Sequence, residues 1–314
     1  QEGLDRRSEG HAVTELDVGI VQADCAANVF YAQELGLFEK AGLAVRTQPM
    51  PGERDRVHTG GGLTQVLAQA VNGGGLDIGL ANVVILALAR EAGVRLRYIA
   101  PAAVVLPGPK QIDEVMVRQD SDLTPGPSCN GATIAINRLK NLQHVLATAW
   151  LDMHGGDGSS LKFIEVAFQD MGDALQDGSA DIILPTEPFG TIYSRFGKFI
   201  GNAFEGIGPR FMLLGWFATD DWLAAHGDAA ERFAGAMRDA SEWANGHRAE
   251  SAHILAGRPN TRVDVELAQR MVRATYGLSL DPAMLTPVLT FAAKHGVLTG
   301  SVSAADLIWP ISRG

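Results

Sequence analysis

The chain has 314 residues, 46% of them hydrophobic and 20% charged, with 36 glycines: the make-up of an ordinary globular protein long enough for two domains. Lys and Arg total 26 against 36 Asp and Glu, a net charge of -10, and a surface that acidic repels phosphate backbones and anionic lipid, which argues against a nucleic-acid partner. The most apolar stretch, residues 78–89, is far short of the ~20 residues a bilayer requires, so the chain is not expected to be membrane-inserted. The two cysteines, Cys25 and Cys129, cannot make a disulfide framework or a Cys-rich metal site. The first residues, from Gln1, include no initiator Met and no apolar leader, which reads as a mature or trimmed chain and is compatible with a removed signal peptide.

In chain order, 16–21 is a short apolar strand signal and 29–41 has a helical pattern stopped by Gly42. A strand over 44–48 closes at Pro49. After a glycine-rich loop, Leu63, Val66, Leu67, Ala70 and Val71 share one helix face. Residues 77–80, 83–91 and 96–100 then read as strand, helix, strand. A Pro/Gly-rich passage over 101–109 breaks the rhythm, which restarts with strands over 114–117 and 133–136, a helix over 143–154, a strand over 163–166, a helix over 171–176 and a strand over 181–184. Residues 211–218 give the last strand, and everything from Asp220 reads as helical, with Ala230, Phe233, Ala234, Met237, Ala240 and Ala244 on one stripe, followed by 265–276 and 282–295.

Such alternation predicts an α/β fold with mainly parallel sheets flanked by helices. An internal echo divides it. Gly74-Gly75-Leu76-Asp77-Ile78-Gly79-Leu80 and Gly178-Ser179-Ala180-Asp181-Ile182-Ile183-Leu184 share Gly, two residues, Asp-Ile, one residue, Leu, at the same place in each series. Two similarly built lobes follow. Ligands of open α/β sheets bind beyond the carboxyl ends of the strands, so the site is expected in the cleft between the lobes. Its walls would come from loops 22–28, 60–64 and 81–83 with Pro101, and from 137–141, 168–171 and 185–189.

The run Phe30-Tyr31-Ala32-Gln33-Glu34-Leu35-Gly36-Leu37-Phe38-Glu39-Lys40-Ala41-Gly42-Leu43 resembles a hallmark of type II periplasmic substrate-binding proteins, the group serving ABC importers for nitrate, taurine, aliphatic sulfonates and pyrimidine precursors. Leu76-Asp77-Ile78-Gly79-Leu80-Ala81-Asn82, Asn130-Gly131-Ala132-Thr133-Ile134-Ala135, Glu187-Pro188-Phe189 and Trp243-Ala244 are similar to further motifs of that family. The resemblance runs from about Leu16 to Ala256. It departs at 51–59, which is longer and more charged than usual, and no lipid-attachment cysteine stands at position 1.

The resemblance implies a type II, two-lobe fold: residues 1–103 and 214–314 as one lobe, 104–213 as the other, and a two-strand hinge near 100–105 and 214–218. It implies a monomeric, periplasmic solute-binding component whose partners are a small-molecule solute and the importer's membrane subunits, with no cofactor and no chemistry of its own. Expected ligand contacts are Asp24, Cys25, Asn28 and Tyr31 from the first loop and helix, Gly61, Gly62 and Thr64 from the glycine loop, and Asn82. The second lobe offers Asn137, Arg138, Lys140, Asn141, Thr186, Glu187 and Phe189, with Trp216 near the hinge. Three helix N-termini converging on one cleft, with Arg138 or Lys140 beside them, favour an organic carboxylate or sulfonate. A neutral heterocycle such as a pyrimidine, held by Asn82 and Glu187, is the alternative.

Other chemistries lack their motifs. No Gly-Lys-Ser/Thr follows Gly60-Gly61-Gly62, and no H-E-x-x-H or G-x-S-x-G occurs. The sulfinate desulfinases resemble the same fold and use a first-loop cysteine with a histidine and an arginine. Cys25, with His58 and Arg54 or Arg56, leaves that thiol-enzyme reading open. The pyrimidine-precursor synthases share the fold too, but their cysteine-rich iron motif has no counterpart here.

Overall fold

The computed structural model describes residues 13–49, 75–108, 111–258 and 261–310; the expected helix over 63–71 and the candidates Gly61, Gly62 and Thr64 lie outside them. In chain order the strands of the first half are β1 (Thr14–Ile20), β2 (Leu43–Pro49), β3 (Gly79–Asn82), β4 (Leu96–Pro101), β5 (Ala103–Val105) and β6 (Glu114–Arg118). They continue as β7 (Thr133–Ile136), β8 (Lys162–Glu165), β9 (Ile182–Ile183), β10 (Gly197–Asn202), β11 (Phe211–Met212), β12 (Leu214–Thr219) and β13 (Thr275–Tyr276).

Two sheets share one layout. β1 and β2 are parallel, β12 lies antiparallel between β3 and β4, and a parallel bridge from Val18 to Ile78 joins the pairs into the order β2-β1-β3-β12-β4. The second sheet runs β8-β7-β9-β6-β10, with β7 parallel to both neighbours and β6 antiparallel to β9 and β10. Each sheet is therefore parallel on one side and has one reversed strand beside the echoed segment.

The echo has a physical basis. Asp77 donates its N–H to the Asp17 carbonyl (2.8 Å), and its Oδ2 accepts the N–H of Asp17 (2.8 Å). Asp181 does the same to Thr133, at the same two distances. The carboxylate supplies the acceptor that a strand edge lacks where the ladder begins, and the following Ile78 or Ile182 is fully buried. The repeated Asp-Ile is a strand-starting clamp.

The chain passes between the sheets through a small third ladder, β11-β5-β13. Ala102 N–H bonds the Leu214 carbonyl and Leu213 N–H bonds the Ala103 carbonyl, so the two crossings run as paired strands. Helices cover the sheets, and the largest buried cluster draws on both, from Leu16 and Val18 to Trp150, Trp216 and Phe217.

Caps mark the helix starts. Asn82 accepts Ile85 N–H ahead of Val83–Glu91, Thr219 accepts Trp222 N–H ahead of Asp220–Gly246, and Asp281 accepts Ala283 N–H ahead of Pro282–Lys294. The expected helix over 29–41 is two, Asn28–Glu34 and Leu37–Lys40, because Gly36 takes a left-handed φ of 64° between them. The strand expected over 211–218 is also two, β11 and β12, in different sheets. The region after Asp220 is not wholly helical: Val265–Arg270 ends early and β13 follows, while β5, β10 and the short helix Phe189–Tyr193 carry no strong sequence signal.

Candidate functional site

A cavity of about 960 Å³ opens where the carboxyl ends of β1, β2 and β3 meet those of β7, β8 and β9. Of the sequence candidates, Cys25 and Asn82 line it from the first sheet, and Asn137, Asn141, Thr186, Glu187 and Phe189 from the second. Asn82 and Asn141 meet directly. Asn141 Oδ1 accepts the N–H of Leu142, capping the helix Leu142–Met153, and also accepts from Asn82 Nδ2 at 2.8 Å. Two helix caps, one from each sheet, thus hold each other across the cavity edge.

Arg138 and Lys140 are not among the lining residues, and Lys140 is exposed. Asp24, Asn28, Tyr31 and Trp216 sit behind the wall in the packed interior. Asp24 makes a buried ion pair with Arg273 (2.9 Å) and also accepts from Ala274 N–H and the Tyr276 hydroxyl. Arg273 donates to the Tyr31 hydroxyl (2.8 Å), and burial, reinforced by the Asp24 charge, pushes that phenol up to about 12. Asn28 donates to the Pro101 carbonyl and Ser241 and accepts from Trp216 Nε1, whose ring packs edge-on against Phe233. These residues are committed to one another, so their polar atoms face protein.

Gln22 and Ala23, and Phe168 and Gln169, join the wall from the expected loops 22–28 and 168–171, whereas sequence reasoning passed over Val21, Pro49, Asp113, Leu142 and Gln143. Leu213 and Leu214 come from the crossing, and Thr261 and Arg262 from the C-terminal segment. Asp113 is the consequential one. It precedes β6, the reversed strand of its sheet, so its amino end lies level with the carboxyl ends of the parallel strands. Its sequence signal is weak: an Asp-Glu pair just ahead of the apolar run Val115-Met116-Val117.

Asp113 is 6% exposed and bridges backbone to backbone with Thr186. Gln143 is fixed beneath it: its amide oxygen accepts Asn137 N–H (2.9 Å), and its amide nitrogen donates to the Leu184 carbonyl (2.8 Å) and to Asp113 Oδ2 (3.4 Å). Burial pushes the Asp113 carboxyl up to about 6. Thr186 and Gln143 temper the rise and the Glu187 charge adds to it. Glu187 is raised as well, by burial first, but its oxygens are occupied: they accept Thr191 N–H, the Thr191 hydroxyl and Val272 N–H. That last bond ties the second sheet's loop to the C-terminal segment.

The site therefore combines apolar surface from Phe168, Phe189 and the leucines with carboxylate, amide, hydroxyl and thiol groups, the pattern of a small-molecule pocket. Among the described residues no group of three His, Cys, Asp or Glu is placed to hold a metal. The two cysteines are not bonded to each other.

Similarity to known proteins agrees with this architecture. The aliphatic sulfonate-binding periplasmic protein SsuA of Escherichia coli superposes with a TM-score of 0.73 at 14% identity, over 96% of this chain and 93% of that one. The alkanesulfonate-binding SsuA of Xanthomonas axonopodis pv. citri, bound to MOPS, gives 0.71 at 17% identity, over 95% and 99%. The periplasmic nitrate-binding protein NrtA of Synechocystis PCC 6803 gives 0.72 at 16%, over 93% and 84%. No curated protein sequence matches. Residues 25–251 match the family described as NMT1/THI5 like, a stretch that takes in the second sheet, all of the first except β1, and most of the cavity wall, and the chain belongs to that family, with the fold of periplasmic binding proteins.

Proposed function

We propose that the chain is the solute-binding component of an ABC import system, taking one small organic molecule into the cavity between its two sheets and releasing it unchanged to the membrane subunits. The observation that carries this reading is the cavity itself: side chains from both sheets line it, at the strand ends where such folds bind ligands. The lobes are 1–103 with 214–314, and 104–213, turning about the paired crossings near 100–105 and 214–218. A ligand that touches both lobes only when they are closed shifts the equilibrium toward closure, and the importer reads that shape. A periplasmic location fits the reading, and no helix among the described residues is long and apolar enough to cross a membrane.

The test is a thermal-shift screen of small metabolites followed by mass spectrometry of the hit. A stabilising compound recovered unchanged is expected; a product formed over multiple turnovers overturns the reading. Cys25 on the wall favours a second reading, a thiol enzyme on the same fold. Cys25→Ser separates the two, because a binding protein keeps most of its affinity and a thiol enzyme loses its activity.

A further inference from the structure

The cavity's deep wall has acceptors to spare. Asp113 Oδ1 is buried and has no hydrogen-bond partner among the described residues, although its Oδ2 is held by Gln143. Thr186 lies near enough to temper the carboxyl's acidity, but not in hydrogen-bonding geometry with Oδ1. Asn137 Oδ1, on the same wall, is equally without a partner. A buried carboxylate oxygen left unsatisfied is costly, and natural sites retain one where something else completes it. The side-chain amide of Gln143 cannot do so, since its nitrogen already serves Leu184 and Asp113 Oδ2 and its oxygen serves Asn137 N–H.

Among the described residues, the buried charges around this point have one sign. Glu187 stands beside Asp113 and has its own donors, all from protein groups. Among the described residues the cationic side chain on the wall is Arg262, which is exposed, and Arg138 and Lys140 do not line the cavity. Two of the helix termini at the cavity, those of Val83–Glu91 and Leu142–Met153, are already capped by Asn82 and Asn141, while Asn28–Glu34 has no side-chain cap. An acid group placed here would meet two carboxylates in a half-dry pocket, whereas a nitrogen cation would satisfy Asp113 and remove the like-charge tension with Glu187.

We propose, resting on the solute-binding reading, that the deep wall selects a nitrogen cation: a protonated amine or amidine places its N–H groups on Asp113 Oδ1 and Asn137 Oδ1, so the transported solute carries such a group in place of a carboxylate or sulfonate. Asp113 is then the specificity-determining residue. Phe168 and Phe189 bound the space for the carbon skeleton.

Two matched triples test it by calorimetry: benzamidine, benzamide and benzoate on an aromatic frame, and butylamine, butyramide and butyrate on an aliphatic one. In at least one triple the cation is expected to bind about tenfold or more tighter than its acid, the scale of one charge-assisted hydrogen bond. Asp113→Asn should abolish that preference, while Asp113→Glu, which restores the charge, should recover part of it. An acid binding tighter than its cation, a preference untouched by Asp113→Asn, or no binding by either cation at millimolar concentration overturns the proposal. Native mass spectrometry of the purified protein keeps the two readings apart: a co-purified solute lacking a basic nitrogen overturns this inference while leaving the solute-binding function standing.

Discussion

At the scale of single residues, Asp113 sets binding against stability. Its folded-state value of about 6 lies above the ~4 of an unfolded chain, so the unfolded state gives up this proton first. Whatever Asp113 contributes to stability is fully present below about pH 4 and is lost as pH rises through about 6. Asp113→Asn keeps the shape and removes the charge. The ligand-free variant is expected to be more stable than the parent by roughly 1–3 kcal/mol at neutral pH and equally stable below about pH 4, measured by urea denaturation at both. A constant difference at the two pH values would contradict the raised acidity constant.

Asp24 behaves in the opposite way. Its ion pair with Arg273 is nearly dry on both sides, and removing one partner leaves the other buried and unmatched. Asp24→Asn should cost about 3–5 kcal/mol of unfolding free energy. Were Asp24 a ligand contact instead, the variant would weaken solute binding at little cost in denaturant midpoint. Gly79 is fixed by a close approach: a Cβ there would sit 2.6 Å from Phe217 Cζ, the residue across the ladder. Its counterpart in the echo is Ile183, which faces Met116 and has no such ring to clear. Gly79→Ala should therefore destabilise by about 1–3 kcal/mol, read from the shift in thermal midpoint.

Among the elements, the paired caps form a small machine. Asn82 and Asn141 each cap a helix in the ordinary way, and the bond between their side chains joins helix Val83–Glu91 of the first sheet to helix Leu142–Met153 of the second. Either alanine variant should cost about 0.5–2 kcal/mol for its lost cap. Because the caps also hold each other, the double variant should cost less than the sum, by about 0.5–1.5 kcal/mol in a double-mutant cycle. Strict additivity would mean that the contact carries no energy and that the caps act separately.

For the whole molecule, the chain crosses between the sheets through the paired strands β5 and β11, and among the described residues the side-chain ties between the two sides include Asn82 to Asn141 and Glu187 to Val272 at the cavity edges and His295 to Asp152 away from it. The proposed closure would turn the two sides about these crossings. Small-angle scattering should show a smaller radius of gyration once a solute is bound, and the change should be absent in a protein already loaded with co-purified solute. An unchanged radius on adding solute to protein verified as empty would count against closure.

What the sequence determined by itself is local or periodic. Alternating strand and helix signals, Gly42 as a stop and the Asp-Ile echo follow from short-range rules, and the motif run beginning at Phe30 was enough to indicate the family. Position beyond a strand's carboxyl end was likewise enough to direct attention to Cys25, Asn82, Asn137, Asn141, Thr186, Glu187 and Phe189, all of which lie on the wall. The tertiary structure alone decided which polar groups face the cavity and which face protein. Asp24 and Tyr31 occupy a first-sheet loop and the helix after it, yet their partner Arg273 lies 249 and 242 residues away, a pairing that no local pattern encodes. Asp113 reached the wall because β6 runs against its neighbours, and strand direction is fixed by ladder pairing, not by hydrophobic alternation, which reads the same in both directions.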